Sequence, residues 1–309
     1  MTGAEQLIDE LRPVSFAIAY RMLGSVADAE DIVQEALIRT HQAVAGGQRL
    51  DSPRAFVATV TTRLAIDELR SARARREQYV GEWLPEPIVT DGIDDPANQA
   101  ELADSLSIAM LRLLESLSPE QRATLLLHDV FDYRYAEIAE IIGKSQANVR
   151  KLAERARRHV DEGRPRFQTS QEQRDELAQR FFAAVRDGDI GALETLLADD
   201  VALTGDGGGK VPAIRHMIRG RSRVADTLRN WLRLVRQRVA GGSIREVQIN
   251  GAPGALLLDE QDRLLGVWSL DIAGSEIIGI NSIVNPEKLA HLGPLADVAA
   301  LLDPARDRD

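Results

Sequence analysis

A row of amide and cationic side chains, Gln146, Asn148, Arg150, Lys151, Arg155 and Arg158, lies along one side of the stretch from Tyr135 to Arg158. Amides suit base edges and cations suit phosphates, so the chemistry on offer is recognition of DNA. A second group, Arg63, Arg70, Arg73, Arg75 and Arg76, crowds the end of an earlier segment. Cations there complement a helix dipole in any protein, but four arginines in seven residues (70–76) exceed what capping requires and favour phosphate contact. A third group is acidic: Asp28, Asp31, Gln34 and Glu35, with Ile38 among them. An isoleucine on an acidic outer face suggests a protein-binding surface, although single exposed apolar residues are common.

The elements that must position these groups are legible. Ile138, Ala139, Ile141 and Ile142 give one short helix an apolar side. Gly143 stands where a chain leaving a helix needs positive φ, and Ser145 is placed to cap the next helix. Val149, Leu152, Ala153 and Ala156 then fall at i, i+3, i+4 and i+7 and turn one stripe inward. The spacing predicts a helix-turn-helix; an ordinary helical hairpin with a solvated basic face is the plainer alternative.

The chain has 309 residues, 44% of them hydrophobic and 28% charged, which fits two or three domains of a soluble protein. It has no cysteine, which excludes disulfides, thiolate metal sites and thiol nucleophiles. No apolar run approaches the roughly 18 residues of a membrane span, and the N-terminus lacks a signal-peptide layout, so a cytoplasmic protein is expected. The net charge of −10 is unevenly spread. Eight Lys/Arg face three acids from Lys144 to Arg166, five Arg face two acids from Arg63 to Arg76, and seven acids face three Arg before residue 49. Two basic patches and a separate acidic face suit a protein that touches DNA at two places and another partner elsewhere.

Taken in order, residues 5–23 and 26–45 read as helices, the second capped by Ser25, and Ser52-Pro53 opens a third that runs into the arginine cluster. Residues 79–99 form a linker with three prolines, yet Trp83, Leu84, Pro85, Glu86 and Pro87 are too apolar for a free tether, and this piece is expected to dock on a domain. Helices resume at 101–116, and Ser118-Pro119 caps another. Three stretches, DAEDIVQEALIRT (28–40), AIDELRSARARRE (65–77) and LSPEQRATLLLHDVFDYRYAEIAEIIGKS (117–145), together resemble, in order and spacing, the extracytoplasmic-function sigma factors of bacterial RNA polymerase.

That resemblance implies two all-α domains: region two over 1–78, and, beyond a linker at 79–100, region four over 101–164 with its helix-turn-helix. It implies that Asp28, Asp31, Gln34, Glu35 and Ile38 bind the clamp helices of the polymerase core. It also implies that Arg63, Arg70, Arg73, Arg75 and Arg76 engage the −10 promoter element, and that Ser145, Gln146, Asn148, Arg150, Lys151 and Arg155 read the −35 element. The chain departs from the family at Arg63, where Asn is usual, and at Phe56, where Trp is common.

Residues 165–309 extend past the usual end of the family. Helices at 171–187 and through GDIGALETLLADD are followed by a strand and glycine loop at 201–213 and a long helix at 220–238. Strands follow at 244–250, 255–259, 264–272 and 276–284. This order indicates an α+β domain, a curved antiparallel sheet wrapped around helices. It resembles the SnoaL-like branch of the nuclear-transport-factor-2-like fold, and the whole chain resembles the sigma-factor subgroup carrying such an extension. The subgroup's pieces are present as WLPEP (83–87), DGGGK (206–210) and NPEKL (285–289); Lys210 and Glu287 replace Arg and Asp. The resemblance implies a regulatory role in cis, with Asp206, Gly207, Gly208, Gly209, Lys210, Asn285, Pro286, Glu287, Lys288 and Leu289 meeting the linker or one another. It also leaves room for a small ligand in the pocket and for a homodimer.

Gly207-Gly208-Gly209-Lys210 is no phosphate loop: Thr204 stands where glycine is needed and Val211 where Ser or Thr is needed. A glycine turn that admits another segment closely is expected instead. Related folds include enzymes, but no spacing ties the candidate acid–base residues Asp206, His216 and Asp271 together, so no catalytic residue is assigned. The five histidines are dispersed and neither a metal nor a cofactor is expected. The alternative of a different class is a ligand-sensing DNA-binding regulator that acts without polymerase.

Overall fold

The computed structural model describes residues 3–76, 78–91, 105–163, 169–239 and 241–301, with side chains throughout these except at 3–5 and 72–76. It divides into two compact units, one of residues 1–78 and 111–164, the other of residues 79–110 and 165–309.

The first unit is helical. α1 (Gly3–Leu23), α2 (Val26–Ala45) and α3 (Pro53–Arg76) pack on one another through Ile18, Leu23, Val33, Ala36, Val57 and Ala65. Ser25 caps α2 by accepting the Asp28 N–H, as its position in the sequence predicts. α4 (Ile108–Glu115) brings the chain back into this unit; the first residues of the helix expected at 101–116 lie outside the described ones. α5 (Pro119–Asp129) opens with a capping box in which Ser118 and Gln121 satisfy each other's backbone N–H. α6 (Tyr135–Ile142) and α7 (Gln146–Gly163) form the helix-turn-helix around Leu127, Ile138, Ile141 and Val149. Gly143 has φ 67° and ψ 38°, the left-handed turn that only glycine adopts without strain.

The second unit places α8 (Gln171–Asp187), α9 (Ile190–Leu196) and α10 (Arg221–Arg238) on a six-stranded sheet. Its strands are β1 (Leu197–Asp206), β2 (Ile218–Arg219), β3 (Ser243–Ile249), β4 (Ala252–Leu258), β5 (Leu264–Ala273) and β6 (Glu276–Ile283), in the order β2-β1-β6-β5-β4-β3. Register shifts in the β1–β6, β4–β5 and β5–β6 pairs supply the bulges that bend a sheet. Phe181, Phe182, Trp231 and Trp268 meet ring to ring between the helices and the sheet. Short helices α11 (Pro286–Leu289) and α12 (Val298–Leu301) follow the last strand.

Two expectations need correction. The sheet is mixed, because β1 and β6 run parallel. No hairpin constrains that pair: β2, α10 and three strands lie between them, and parallel neighbours require such a long connection. The helix read through LADD ends at Leu196, and β1 begins at once at Leu197. Leu197, Ala198 and Val201 are buried and exposed Asp199 and Asp200 lie between them, a pattern set by the sheet and not by helical period.

Candidate functional site

On α2, Asp31, Gln34 and Ile38 are exposed, while Asp28 and Glu35 are half-buried. Their opposite side, Ala29, Ile32, Val33, Ala36 and Leu37, is spent on the core. Ile38 keeps 43% of its surface in water and is, with Val80, one of two large apolar side chains so exposed among the described residues. Asp31, Gln34 and Glu35 lie one or two helical turns before it on the same outer side of α2.

On α7, Gln146, Asn148, Arg150, Lys151 and Arg155 are all exposed, with Val149, Ala153 and Ala156 buried beneath them. Ser145 is also exposed and its Oγ accepts the Asn148 N–H at 3.3 Å, so it both starts the helix and borders its free end. The Arg150 guanidinium sits 5.8 Å from the Tyr135 ring centroid. Arg157 is turned to structure: it pairs with Asp129 and donates to the Tyr135 hydroxyl.

The arginines of α3 are not all free. Arg63 donates from Nε to the Ile141 carbonyl at 2.8 Å and from a terminal nitrogen to the Glu140 carbonyl at 2.9 Å. These carbonyls belong to the last turn of α6, where backbone acceptors lack partners and the dipole is negative. Arg70 bridges Asp67 and Glu120. Behind them the Arg122 side chain, fully buried, donates to the Arg21 carbonyl, and burial pushes the Arg21 guanidinium down to about 10. The first unit is therefore closed on itself, with α3 held against the helix-turn-helix. The side chains of Arg73, Arg75 and Arg76 lie outside the described residues.

In the second unit, Asp206 at the end of β1 gathers the linker and two distant loops. Its Oδ1 accepts from the Tyr79 hydroxyl at 2.5 Å and from Gly208 N–H at 3.1 Å. Its Oδ2 accepts from Leu84 N–H at 2.8 Å and from Lys288 Nζ at 2.7 Å. Four donors fill the four acceptor positions of one carboxylate. Lys288 also donates to the Leu84 carbonyl and lies 4.1 Å from the Trp83 ring and 4.9 Å from the Tyr79 ring. Asn285 donates to the Tyr79 hydroxyl at 2.9 Å, and Lys210 pairs with Glu287 at 2.7 Å. The phenol of Tyr79 is pushed well above its usual range, by burial first and by Asp206 next. The glycine run serves close approach: a β-carbon on Gly208 would lie 2.3 Å from Asn285 Nδ2.

The linker is fastened at its far end too. Asn250 and Gly251 turn β3 into β4 with φ 54° and 71°, the hairpin geometry that Asn-Gly favours. Asn250 Oδ1 accepts from Ile88 N–H at 2.9 Å, and its Nδ2 donates to Leu106 carbonyl at 3.0 Å. Val89 bridges Ile249 antiparallel and Thr90 N–H donates to Gln248, so residues 88–90 pair with the outer edge of β3. His291 meets the Pro87 carbonyl at 2.8 Å. Leu84, Pro85, Glu86 and Pro87 are all buried. Tyr79, Asn250 and His291 were not singled out by sequence; of these only the Asn-Gly dipeptide carries a local signal, and it signals the turn, not the socket.

The three acid–base candidates have different surroundings. Asp206 is engaged by the linker, Asp271 accepts from Asn281 Nδ2 at 2.9 Å on β5, and His216 is exposed on the loop before β2. Among the described residues no cluster of three or more His, Asp or Glu could hold a metal ion.

The Sigma-70 region 2 family model matches residues 7–75, and the Sigma-70, region 4 model matches residues 107–160. Over 292 residues the chain is 40% identical to the ECF RNA polymerase sigma factor SigJ of Mycobacterium tuberculosis, covering 91% of each. This chain belongs to the extracytoplasmic-function sigma factors of RNA polymerase. It is also 33% identical to a probable ECF RNA polymerase sigma factor, SigI, of the same species, over 88% of this chain and 90% of that one. The crystal structure of the M. tuberculosis extracytoplasmic function sigma factor SigJ superposes with a TM-score of 0.71 at 34% identity, covering 94% of this chain and 100% of that chain. The similarity therefore runs through the C-terminal unit and not only the two sigma regions. Sigma factors of this family bind the polymerase core and promoter DNA. Among the described residues no helix is long and apolar enough to cross a membrane.

Two measurements check the geometry of this sigma factor. Lys288→Met leaves the buried Asp206 carboxylate without its cation and should cost about 3–5 kcal/mol, while Lys288→Met with Asp206→Asn should recover part of the loss. All three tryptophans (83, 231 and 268) lie in the second unit, so urea unfolding of the intact chain followed by tryptophan fluorescence reads this directly. Arg63→Gln removes both hydrogen bonds to α6, and faster amide hydrogen exchange in α6 and α7 is the expected result; unchanged protection would mean that Arg63 does not hold the first unit closed.

Proposed function

We propose that this sigma factor recruits polymerase core through the exposed edge of α2 and reads two promoter elements, under control in cis from its C-terminal unit. Asp28, Asp31, Gln34, Glu35 and Ile38 would meet the clamp helices of the core, in the cytoplasm. Arg63, Arg70, Arg73, Arg75 and Arg76 would grip the −10 element, and Ser145, Gln146, Asn148, Arg150, Lys151 and Arg155 would read the −35 element in the major groove. The proposed divisions are region two at 1–78, linker at 79–100, region four at 101–164 and the regulatory extension at 165–309.

The observation that carries the regulatory part is the fate of the linker. The segment joining Gln78 to Leu111 belongs to the second unit, pinned at Leu84 by Asp206 and Lys288 and at Ile88 by Asn250. It is also the covalent connection between the two sigma regions. Two tethered modules bind together only when the tether lets both reach their sites, so the unit that holds the tether sets how far the regions separate. Arg63 and Arg70 reach DNA only after leaving Glu140, Ile141 and Glu120. A closed first unit and an immobilised linker describe a resting state that opening converts into the promoter-binding one. This regulation needs neither a pocket ligand nor a second copy of the chain.

Asp31→Lys with Glu35→Lys should abolish capture of the intact chain by purified polymerase core, measured in a pull-down. Retained capture would remove this edge of α2 from the docking surface, whereas failure of the unaltered chain to be captured would favour the reading as a DNA-binding regulator that acts without polymerase. Asn148→Ala or Lys151→Ala should shift the preferred −35 sequence in a selection from randomised duplexes, each costing roughly 1–3 kcal/mol at the base pair it contacts. An unchanged preference would remove that residue from the reading set.

A further inference from the structure

The most basic stretch of the chain lies outside both sigma regions. From Arg215 to Arg238 there are eight arginines and one acid, Asp226, in a protein of net charge −10. Most of this run forms α10, whose inner side, Val224, Ala225, Leu228 and Leu232, is buried against the sheet. Its outer side presents Arg223, Arg229, Arg233 and Arg236, all exposed.

Some of these arginines have structural work. Arg221 donates to the Leu197 carbonyl and pairs with Asp199 and Glu276. Arg236 donates to the Arg186 carbonyl at 2.8 Å, and Arg238 meets the Leu301 carbonyl. Arg223, Arg229 and Arg233 are different. Arg223 sits in the first turn, where the helix dipole disfavours a cation, and it has no ion-pair partner among the described residues. Arg229 is offset only by Asp226 within its own helix, and Arg233 only by the neutral Asn230. Exposed pairs of that kind contribute little to stability. From Arg223 to Arg236 the helix rises roughly 20 Å, at about 1.5 Å per residue. Arg229, Arg233 and Arg236 also line an open groove of about 300 Å³ beside Gly188 and Ile190.

We propose that the outer face of α10 is a third DNA-contacting surface, which holds the phosphate backbone of duplex DNA without reading bases. Arginines in a row are suited to successive phosphates, and no amide pattern for base edges accompanies them beyond Asn230 and Gln237. The occupant follows from chain connectivity and charge. Only residues 164–169 separate the end of α7 from Ser170, the cap of α8. Seven extended steps span at most about 25 Å. A unit tethered so closely to the −35 helix is held at high local concentration over the DNA flanking that element. This placement rests on the reading of α7 as the −35 helix; the basicity of α10 does not.

The test measures binding of the intact chain to a fluorescently labelled 40-base-pair duplex of random sequence by anisotropy, from about 50 to 200 mM NaCl. Arg223→Gln, Arg229→Gln and Arg233→Gln combined should flatten the slope of log K against log salt by about 0.9 for each phosphate left unneutralised, so by about 2–3. The same three positions changed to Lys should keep the slope, because holding the backbone needs charge and not the guanidinium shape. Circular dichroism and tryptophan fluorescence identical to those of the unaltered chain establish that each variant is folded. A parallel variant, Arg150→Gln with Lys151→Gln and Arg155→Gln, reports on α7. Flattening by the α7 variant and none by the α10 variant overturns this proposal and leaves the −35 reading standing. Flattening by the α10 variant alone supports the α10 surface and overturns the reading of α7. An unchanged slope with abolished capture by polymerase core would reassign the stripe to an acidic protein partner, and would overturn the proposal.

Discussion

A single buried ion pair, Lys288 to Asp206, holds together three segments that are far apart in the chain. Both side chains are almost wholly removed from water, at 7% and 0% exposure, which is costly for two charges unless every remaining valence is filled. Here it is: the carboxylate receives four donors, and the ammonium has a carboxylate, a carbonyl and two aromatic faces. Such an arrangement tolerates no partial loss. If the linker withdraws, Tyr79 and Leu84 go with it, and the pair that remains is under-solvated on the side they covered. The interaction is cooperative in the strict sense that each donor's contribution depends on the others being in place.

The closed first unit follows a different physical rule. α3 meets α6 and α5 through polar, partly exposed contacts, with the Arg63 guanidinium on backbone carbonyls of α6 and Arg70 on the Glu120 carboxylate of α5. Water or phosphate can satisfy the same donors equally well. The buried Arg122 side chain on the Arg21 carbonyl has no such ready substitute. The first unit thus combines solvent-replaceable contacts at α3 with a buried one, while the second unit holds the segment 79–110 at a fully buried carboxylate.

Legibility in the sequence divided along the same line. Gly143, the Ser25 and Ser118 caps, and the apolar stripe of α7 act within a few residues and were readable, as were β3 to β6 between their turn residues. The docking of Trp83 to Pro87 was legible from composition alone, since so apolar a piece cannot remain in water. The socket was less so. Asp206 and Lys288 lay within recognisable pieces, yet Tyr79 and Asn250 gain their roles only when the sheet brings β1 and the Asn250 turn to the linker. The parallel β1–β6 pair, the start of β1 at Leu197 and the capture of Arg63 by α6 are tertiary facts with no local period to announce them. The basic outer face of α10 was not among the two basic patches read from the sequence, and it is a surface only because Val224 and Leu228 turn inward.

The short pairing of residues 88–90 with β3 has a consequence for any opened form of the protein. β3 is the last strand of the sheet, and those residues are what caps its hydrogen-bonding side near Ile249. Once they leave, that border is bare main chain, a template for whichever extended peptide arrives first. Reclosure within one molecule then has to outrun capture by a neighbour's identical segment, so protein concentration bears on how long any such opened form can last.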